Sequence, residues 1–303
     1  MDVSTTALAQ TLLNGALLGC LYGCIALGLT IKWGRLGIAD FFHISITLLA
    51  AYVTYTLVTE LGWHPFLTLL VTVPACFVVG VATQWLFTRI RVDDTTSLLL
   101  TFGLFIVAEG LANLIWSADL LSLRRDLPDG LRDAIHLPAP LDRLAVTPPD
   151  LISLVLAIVM VGLATWSLHH TRSGRAVQAM QQDRSIAEAF GVRVAPLALL
   201  VSGLAAASAA AAGMAVAVKT PLQPQLPLQW IGVVVVACLL GGLGRPLGAL
   251  IAAVVLMMIQ NAWSLWFPPQ WASAVTYGVL FLYLAAQPVT RMVRERLPVR
   301  SLA

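Results

Sequence analysis

Charged side chains are scarce in this sequence. Asp, Glu, Lys and Arg make up 11% of 303 residues, against 59% hydrophobic residues and a mean hydropathy of +0.86. A chain this poor in charge cannot cover the surface of a water-soluble domain, which excludes an ordinary soluble enzyme or binding module. A nucleic-acid footprint is also missing, because the net charge is only +3 and the basic residues fall in short runs between apolar segments. Nucleic acid is therefore not an expected partner. Nucleotide loops are absent as well: GGLGR, Gly241 to Arg245, lacks the lysine and hydroxyl of a phosphate-binding loop, and no GxGxxG turn joins a strand to a helix. The chain is not expected to hydrolyse ATP. Metal chemistry is equally unprovided for. Cys20, Cys24, Cys76 and Cys238 sit in apolar segments as small hydrophobes, and His169 and His170 lack a cysteine or carboxylate at ligand spacing. No catalytic, cofactor-binding or metal-binding residue is assigned.

What is present is a series of apolar windows, at 8–30, 42–58, 66–87, 97–116, 151–168, 196–218, 228–240, 247–266 and 272–286. Segments that cross a bilayer without closing a barrel must be helical, because hydrocarbon offers the backbone no hydrogen bonds. The expected fold class is all-α, a polytopic transmembrane helix bundle of eight or nine spans forming one membrane domain over residues 1–303. The 228–240 window is short for a crossing that takes about 20 residues, so it is either a tilted span or a re-entrant piece. MDVSTTALAQ has no basic n-region and leads into a long apolar run, which is expected to stay as the first span. With a cytoplasmic C-terminus and nine crossings, 13 of the 18 Lys and Arg fall on the inner side. The loop at 171–195 is then cytoplasmic and the link at 119–150 extracytoplasmic.

Polar groups inside the apolar windows are the candidates for chemistry, since such groups must face protein or water. Asp40 and His43 stand where the second helix begins. Asp40 either caps that helix by accepting its free amides or, with His43, lines a translocation path. Glu109 lies deep in the fourth window with Asn113 one turn on, a pair suited to a wet path or to an inter-helix hydrogen bond. Gln84, Gln260 and Asn261 read as helix-to-helix glue. Gly15, Gly19 and Gly23 recur at spacing four and make a smooth packing face, and Gly241, Gly242 and Gly244 add a second close-approach site. PLQPQLPLQW, on the outer side, leaves helix ends suited to a small zwitterion.

The passage GRAVQAMQQDRSIAEAFGVRV interrupts this greasy pattern. Ala176, Met180, Asp183, Ala187 and Phe190 recur at helical spacing, predicting one short cytosolic helix with a docking face, ended by Gly191. At these residues the sequence resembles the membrane-spanning permease subunits of bacterial ATP-binding-cassette importers, in particular the branched-chain amino acid permease family. Glu188, Ala189 and Gly191 match the importer coupling loop in part, with Ala187 before the glutamate and Phe190 after the second alanine. LNGALLGCLYGCIALGLTIKWG, SLLLTFGLFIVAEGL and VVVVACLLGGLGRPLGALIAAVVL extend the resemblance over nearly the whole chain. It departs at Asp40, Phe41, Phe42, His43, Ile44, where the family often has Asn-Phe-Ala-His-Gly.

The resemblance implies a bacterial inner-membrane subunit that moves branched-chain or related amino acids. It further implies a second permease chain, two ATP-binding-cassette ATPase subunits carrying ATP and Mg, and an extracytoplasmic solute-binding protein. Gly174, Arg184, Ala187, Glu188, Ala189, Phe190 and Gly191 would couple to the ATPases, with Ala187 and Phe190 as anchors. A urea or short-chain amide permease, an ion- or proton-coupled secondary transporter working through Asp40, His43 and Glu109, and a non-transport membrane scaffold stand as alternatives.

Overall fold

The structure is a computed structural model that describes residues 5–90, 94–131, 135–136 and 145–296. Its helices are α1 (Thr5–Leu36), α2 (Phe42–Leu61), α3 (Pro65–Ile90), α4 (Asp94–Trp116), α5 (Pro148–His170), α6 (Arg172–Gln182), α7 (Arg184–Ala189), α8 (Val194–Lys219), α9 (Leu226–Gly241), α10 (Pro246–Trp263) and α11 (Ala272–Arg296). Each apolar window has become a helix, and most run a few residues past it, because backbone hydrogen bonding continues into the polar turn beyond; α1, for instance, carries Lys32 and Arg35. Among the described residues seven helices are long and apolar enough to cross a membrane: α1, α2, α3, α4, α5, α8 and α10. The chain is a multi-pass membrane helix bundle.

Small residues set how the bundle closes. The α1 stripe lies on α10 in antiparallel register: a Cβ on Gly15 would meet Met258 Cα at 2.8 Å, one on Gly19 would meet Ala253 O at 3.0 Å, and Gly23 faces Leu250. In the same way α8 lies against α3 and α2, with Gly213 against the backbone and side chains of Thr47, Ala50 and Ala51. Lipid tails are as apolar as the helices, so this backbone proximity, through dispersion and close fit, holds them together. Gly19→Leu is expected to force α1 and α10 apart at a cost of about 1–3 kcal/mol, read as a lower unfolding midpoint in detergent; Gly103→Leu, at an open site on α4, should leave the midpoint in place.

Polar side chains add specific ties. Ser202 donates to Gln84 Oε1 at 2.8 Å, joining α8 to α3, and Gln260 Nε2 donates to Ala272 O at 3.2 Å and to Thr276, joining α10 to α11. Both glutamines are the glue the sequence suggests, whereas Asn261 bonds its own helix at Met257 O. At the far end of α4, Trp116 stacks on Tyr52 at 4.8 Å and donates to Thr56 of α2 at 2.8 Å.

The short helix α9 connects the two ends of the bundle. Before it, Leu222 pairs with Leu121 of the 119–150 link, and Lys219 contacts Asp150 at 2.6 Å at the start of α5. After it, the Gly244 amide donates to Thr30 O at 2.9 Å, beside Gly34 and Arg35 of α1. Gly242 and Gly244 have φ of +85° and +77°, so this turn needs residues free of a Cβ. Gly241 meets Gly248 backbone to backbone. In the 119–150 link, Leu123 and Leu127 are buried against the bundle and Ile135–His136 pairs with Ala145–Val146; residues 132–134 and 137–144, like Arg91 and the tail from 297 on, lie outside the described residues.

Candidate functional site

The junction of α1 and α2 holds a charged core. The chain reverses at Gly37, whose amide bonds Trp33 O at 3.0 Å, and this reversal brings Lys32 Nζ to 2.5 Å from Asp40 Oδ2. Both side chains are buried, at 2% and 4% exposure. The Lys32 ammonium also lies 5.6 Å from the Phe87 ring centre of α3, and Thr101 of α4 donates to Ala39 O at 3.1 Å. Asp40 Oδ1 has no hydrogen-bond partner among the described residues. Asp40 thus does not cap α2; the residue before the helix is Phe41, with no side-chain cap. The free amides lose the competition because a buried ammonium would otherwise stand alone. Lys32 is the residue that sequence reasoning missed.

His43 lies one turn further. Its Nε2 is 3.1 Å from Ile25 O of α1, so that nitrogen carries the proton and donates. A Cβ on Gly28 would come within 2.7 Å of both His43 Nε2 and Ala205 O, so α1, α2 and α8 converge on the ring. Glu109 and Asn113 are elsewhere. Ser97, Thr101, Phe105, Ala108 and Ala112 turn α4 towards the core, leaving Glu109 half-buried at the flank and Asn113 exposed. The structure brings Asp40 and His43 together and keeps Glu109 and Asn113 apart from them.

Between α1, α5 and α8 a crevice of about 560 Å³ opens on one flank of the bundle. Its walls are apolar, including Leu27, Ile31, Met160 and Val201, with Ser167 and Ser208 among a few hydroxyls, and it ends at Gly174. None of Asp40, His43, Glu109 and Asn113 lines it.

The polar passage is two helices, where the periodicity predicts one. Asp183 breaks it: with φ of −155° it caps α7, accepting from the Ile186 amide at 3.0 Å and the Ser185 hydroxyl at 2.6 Å. The hydroxyl first and the amide second hold the Asp183 carboxyl below the usual carboxylate range. Gly174 is a corner glycine: its amide donates to Thr171 Oγ1 at 2.9 Å, and a Cβ there would meet Leu168 Cα at 2.6 Å, so it joins α5 to α6 and presents no docking surface. Val177 and Met180 of α6 pack with Leu168, Val194, Leu197 and Val201.

The face of α7 also differs from expectation. Ala187 is 4% exposed and turned inward, whereas Phe190 is 86% and Ile186 55% exposed. These two large apolar side chains, one turn apart, form the outward face, and Glu188 and Ala189 are exposed beside them. The Arg184 side chain lies outside the described residues. Gly191, at φ of +85°, turns the chain into α8, and its neighbour Val192 donates to Ala187 O at 3.0 Å.

Comparison with known proteins gives the fold its relatives. The chain is similar to the high-affinity branched-chain amino acid transport system permease protein LivH of Escherichia coli, with 25% identity over 296 residues covering 92% of this chain and 93% of the relative. LivH of Salmonella typhimurium is 23% identical over 295 residues, with the same coverage. The permease protein BraD of Pseudomonas aeruginosa is 24% identical over 299 residues, covering 92% of this chain and 94% of the relative. No solved structure matches the chain at a significant level. The family model described as branched-chain amino acid transport system, permease component, matches residues 11–284, and the chain belongs to that family.

Proposed function

We propose that the chain is the membrane subunit of an ATP-driven importer of branched-chain amino acids in a bacterial inner membrane. The observation that carries this reading is α7: between the apolar helices α5 and α8, a short polar element leaves Phe190 and Ile186 exposed. Exposed large apolar side chains on a polar element mark a docking site, and a partner ATPase is the occupant that the family supplies. The soluble binding protein would deliver cargo at the Lys219 end, and a second permease would complete the path. The apolar crevice suits an aliphatic side chain.

On this reading the basic ends, with Arg35, Arg89, Arg172, Arg175, Arg193 and Arg245, are cytoplasmic, as is the C-terminus. The short α9 crosses: its 16 residues rise roughly 24 Å, and its ends sit in opposite layers of the bundle. With α11 this makes nine crossings. Asp40 and His43 then fix the α1–α2 junction while Glu109 and Asn113, on the open flank of α4, face the second permease or a water-filled path.

Gly191→Leu tests the coupling role. Forcing a branched side chain to φ of +85° costs about 1–3 kcal/mol, with no other atom within 4 Å of the new Cβ. ATP-coupled uptake should weaken while binding-protein delivery is unaffected, both measured in vesicles. Unchanged uptake at normal expression rejects the assignment. Uptake in vesicles without any ATPase would favour a secondary transporter.

A further inference from the structure

Two hollows adjoin at the basic end of the bundle. One, of about 480 Å³, is the more polar of the two, with Arg35, His169, Gln178, Gln181 and Arg245 among its walls beside Leu168, Pro246 and Leu247. The other, of about 510 Å³, is an apolar groove between α5 and α10, lined by Ile158, Val161, Gly162, Trp166, Leu247 and Leu250. Thr165, His169 and Leu247 border both, so the two adjoin along α5 and the start of α10.

The polar hollow has the chemistry of an anion site. Neither hollow is lined by an acidic residue among the described residues. Arg35 donates to Gln181 and, at 3.0 Å, to Gly244 O, yet its shielded Nε has no partner. Thr165 Oγ1, at the junction of the hollows, is also shielded and unpartnered. The Arg245 side chain is exposed and makes no hydrogen bond or ion pair among the described residues. The first amides of α10 have no intrahelical acceptor and add positive potential. From His169 to Ile158 the groove follows α5 for roughly 16 Å, about half the hydrocarbon thickness of a bilayer.

We propose that this composite pocket binds an anionic phospholipid, with its phosphate between Arg35 and Arg245 and one acyl chain along the α5–α10 groove. A free phosphate would use the polar hollow alone; the apolar groove adjoining it selects a lipid. Because Gln178 and Gln181 belong to α6, the lipid would tie α6 to α1 and α10. The inference rests on the permease reading above, which puts this end at the cytoplasmic leaflet.

The full-length chain, purified in mild detergent, is titrated with phosphatidylglycerol, with phosphatidylcholine of equal chain length and with glycerol 3-phosphate. Native mass spectrometry reads binding, and the thermal unfolding midpoint reads stabilisation. Phosphatidylglycerol should be retained and raise the midpoint, and the other two should do neither. Arg245→Gln should weaken phosphatidylglycerol binding about fivefold. Gly162→Phe, which projects into open groove, should abolish it and leave the lipid-free midpoint unchanged. Equal binding of phosphatidylcholine, equal stabilisation by glycerol 3-phosphate, or full binding by both variants overturns the proposal. No ATPase is present in this assay, so its failure is distinct from a failure of ATP coupling.

Discussion

Asp40→Ala is expected to cost roughly 3–5 kcal/mol, because it strands the Lys32 ammonium in a buried site. Among the described residues Lys32 has no second carboxylate to turn to, and Phe87 offers only a ring face. A bundle of ordinary stability loses much of its margin to such a change, so the variant should be depleted from the membrane. Lys32→Met should do the same from the other side, leaving both Asp40 oxygens unpaired. The informative molecule is the double variant, Lys32→Met with Asp40→Leu. Replacing both charges by apolar groups removes the desolvation cost together with the attraction, which is often neutral or stabilising. We expect its unfolding midpoint and its uptake to return towards the wild-type values. A double variant that folds but does not transport would give Asp40 or Lys32 a direct part in the cargo path. That outcome would overturn the structural role assigned to them here.

The same pair shows what a sequence can and cannot disclose. Helix positions were legible because a bilayer imposes one period and one minimum length, and the packing of Gly15, Gly19 and Gly23 follows from their spacing. The partner of Asp40 was hidden because it depends on how the chain reverses at Gly37. The available signal was a lysine and an aspartate eight residues apart across two glycines, Gly34 and Gly37, with Arg35 the one other charge between them. The break in the polar passage between α6 and α7 was hidden for a related reason. Asp183 fits a continuous helical face by spacing, but its side chain competes for the backbone amides and starts a new helix instead. That break rotates α7, which is why Ala187 faces in and Ile186 replaces it outside. Glu109 and Asn113 do share a face, as spacing requires, but spacing says nothing about which neighbour that face meets.

The rotation of α7 makes the second large effect specific. Phe190→Asp alters a side chain that is 86% exposed, so the isolated bundle should keep its unfolding midpoint within the usual surface range. If Phe190 fills a pocket on the ATPase, its loss is that of a buried aromatic anchor, on the order of 2 kcal/mol or more and about thirtyfold in affinity. Cargo-stimulated ATP hydrolysis and uptake should both fall by at least that factor in the reconstituted complex. Ile186→Asp, one turn away, should act in the same direction. Ala187→Asp provides the contrast, since it buries a carboxylate at a 4% exposed site and should lower the midpoint of the isolated chain as well. Loss of coupling at Phe190 and Ile186 with stability intact, set against loss of both at Ala187, separates the docking face from its support. Equal uptake by Phe190→Asp and the unaltered chain would move the ATPase contact off α7, leaving its exposed apolar pair without the partner proposed for it.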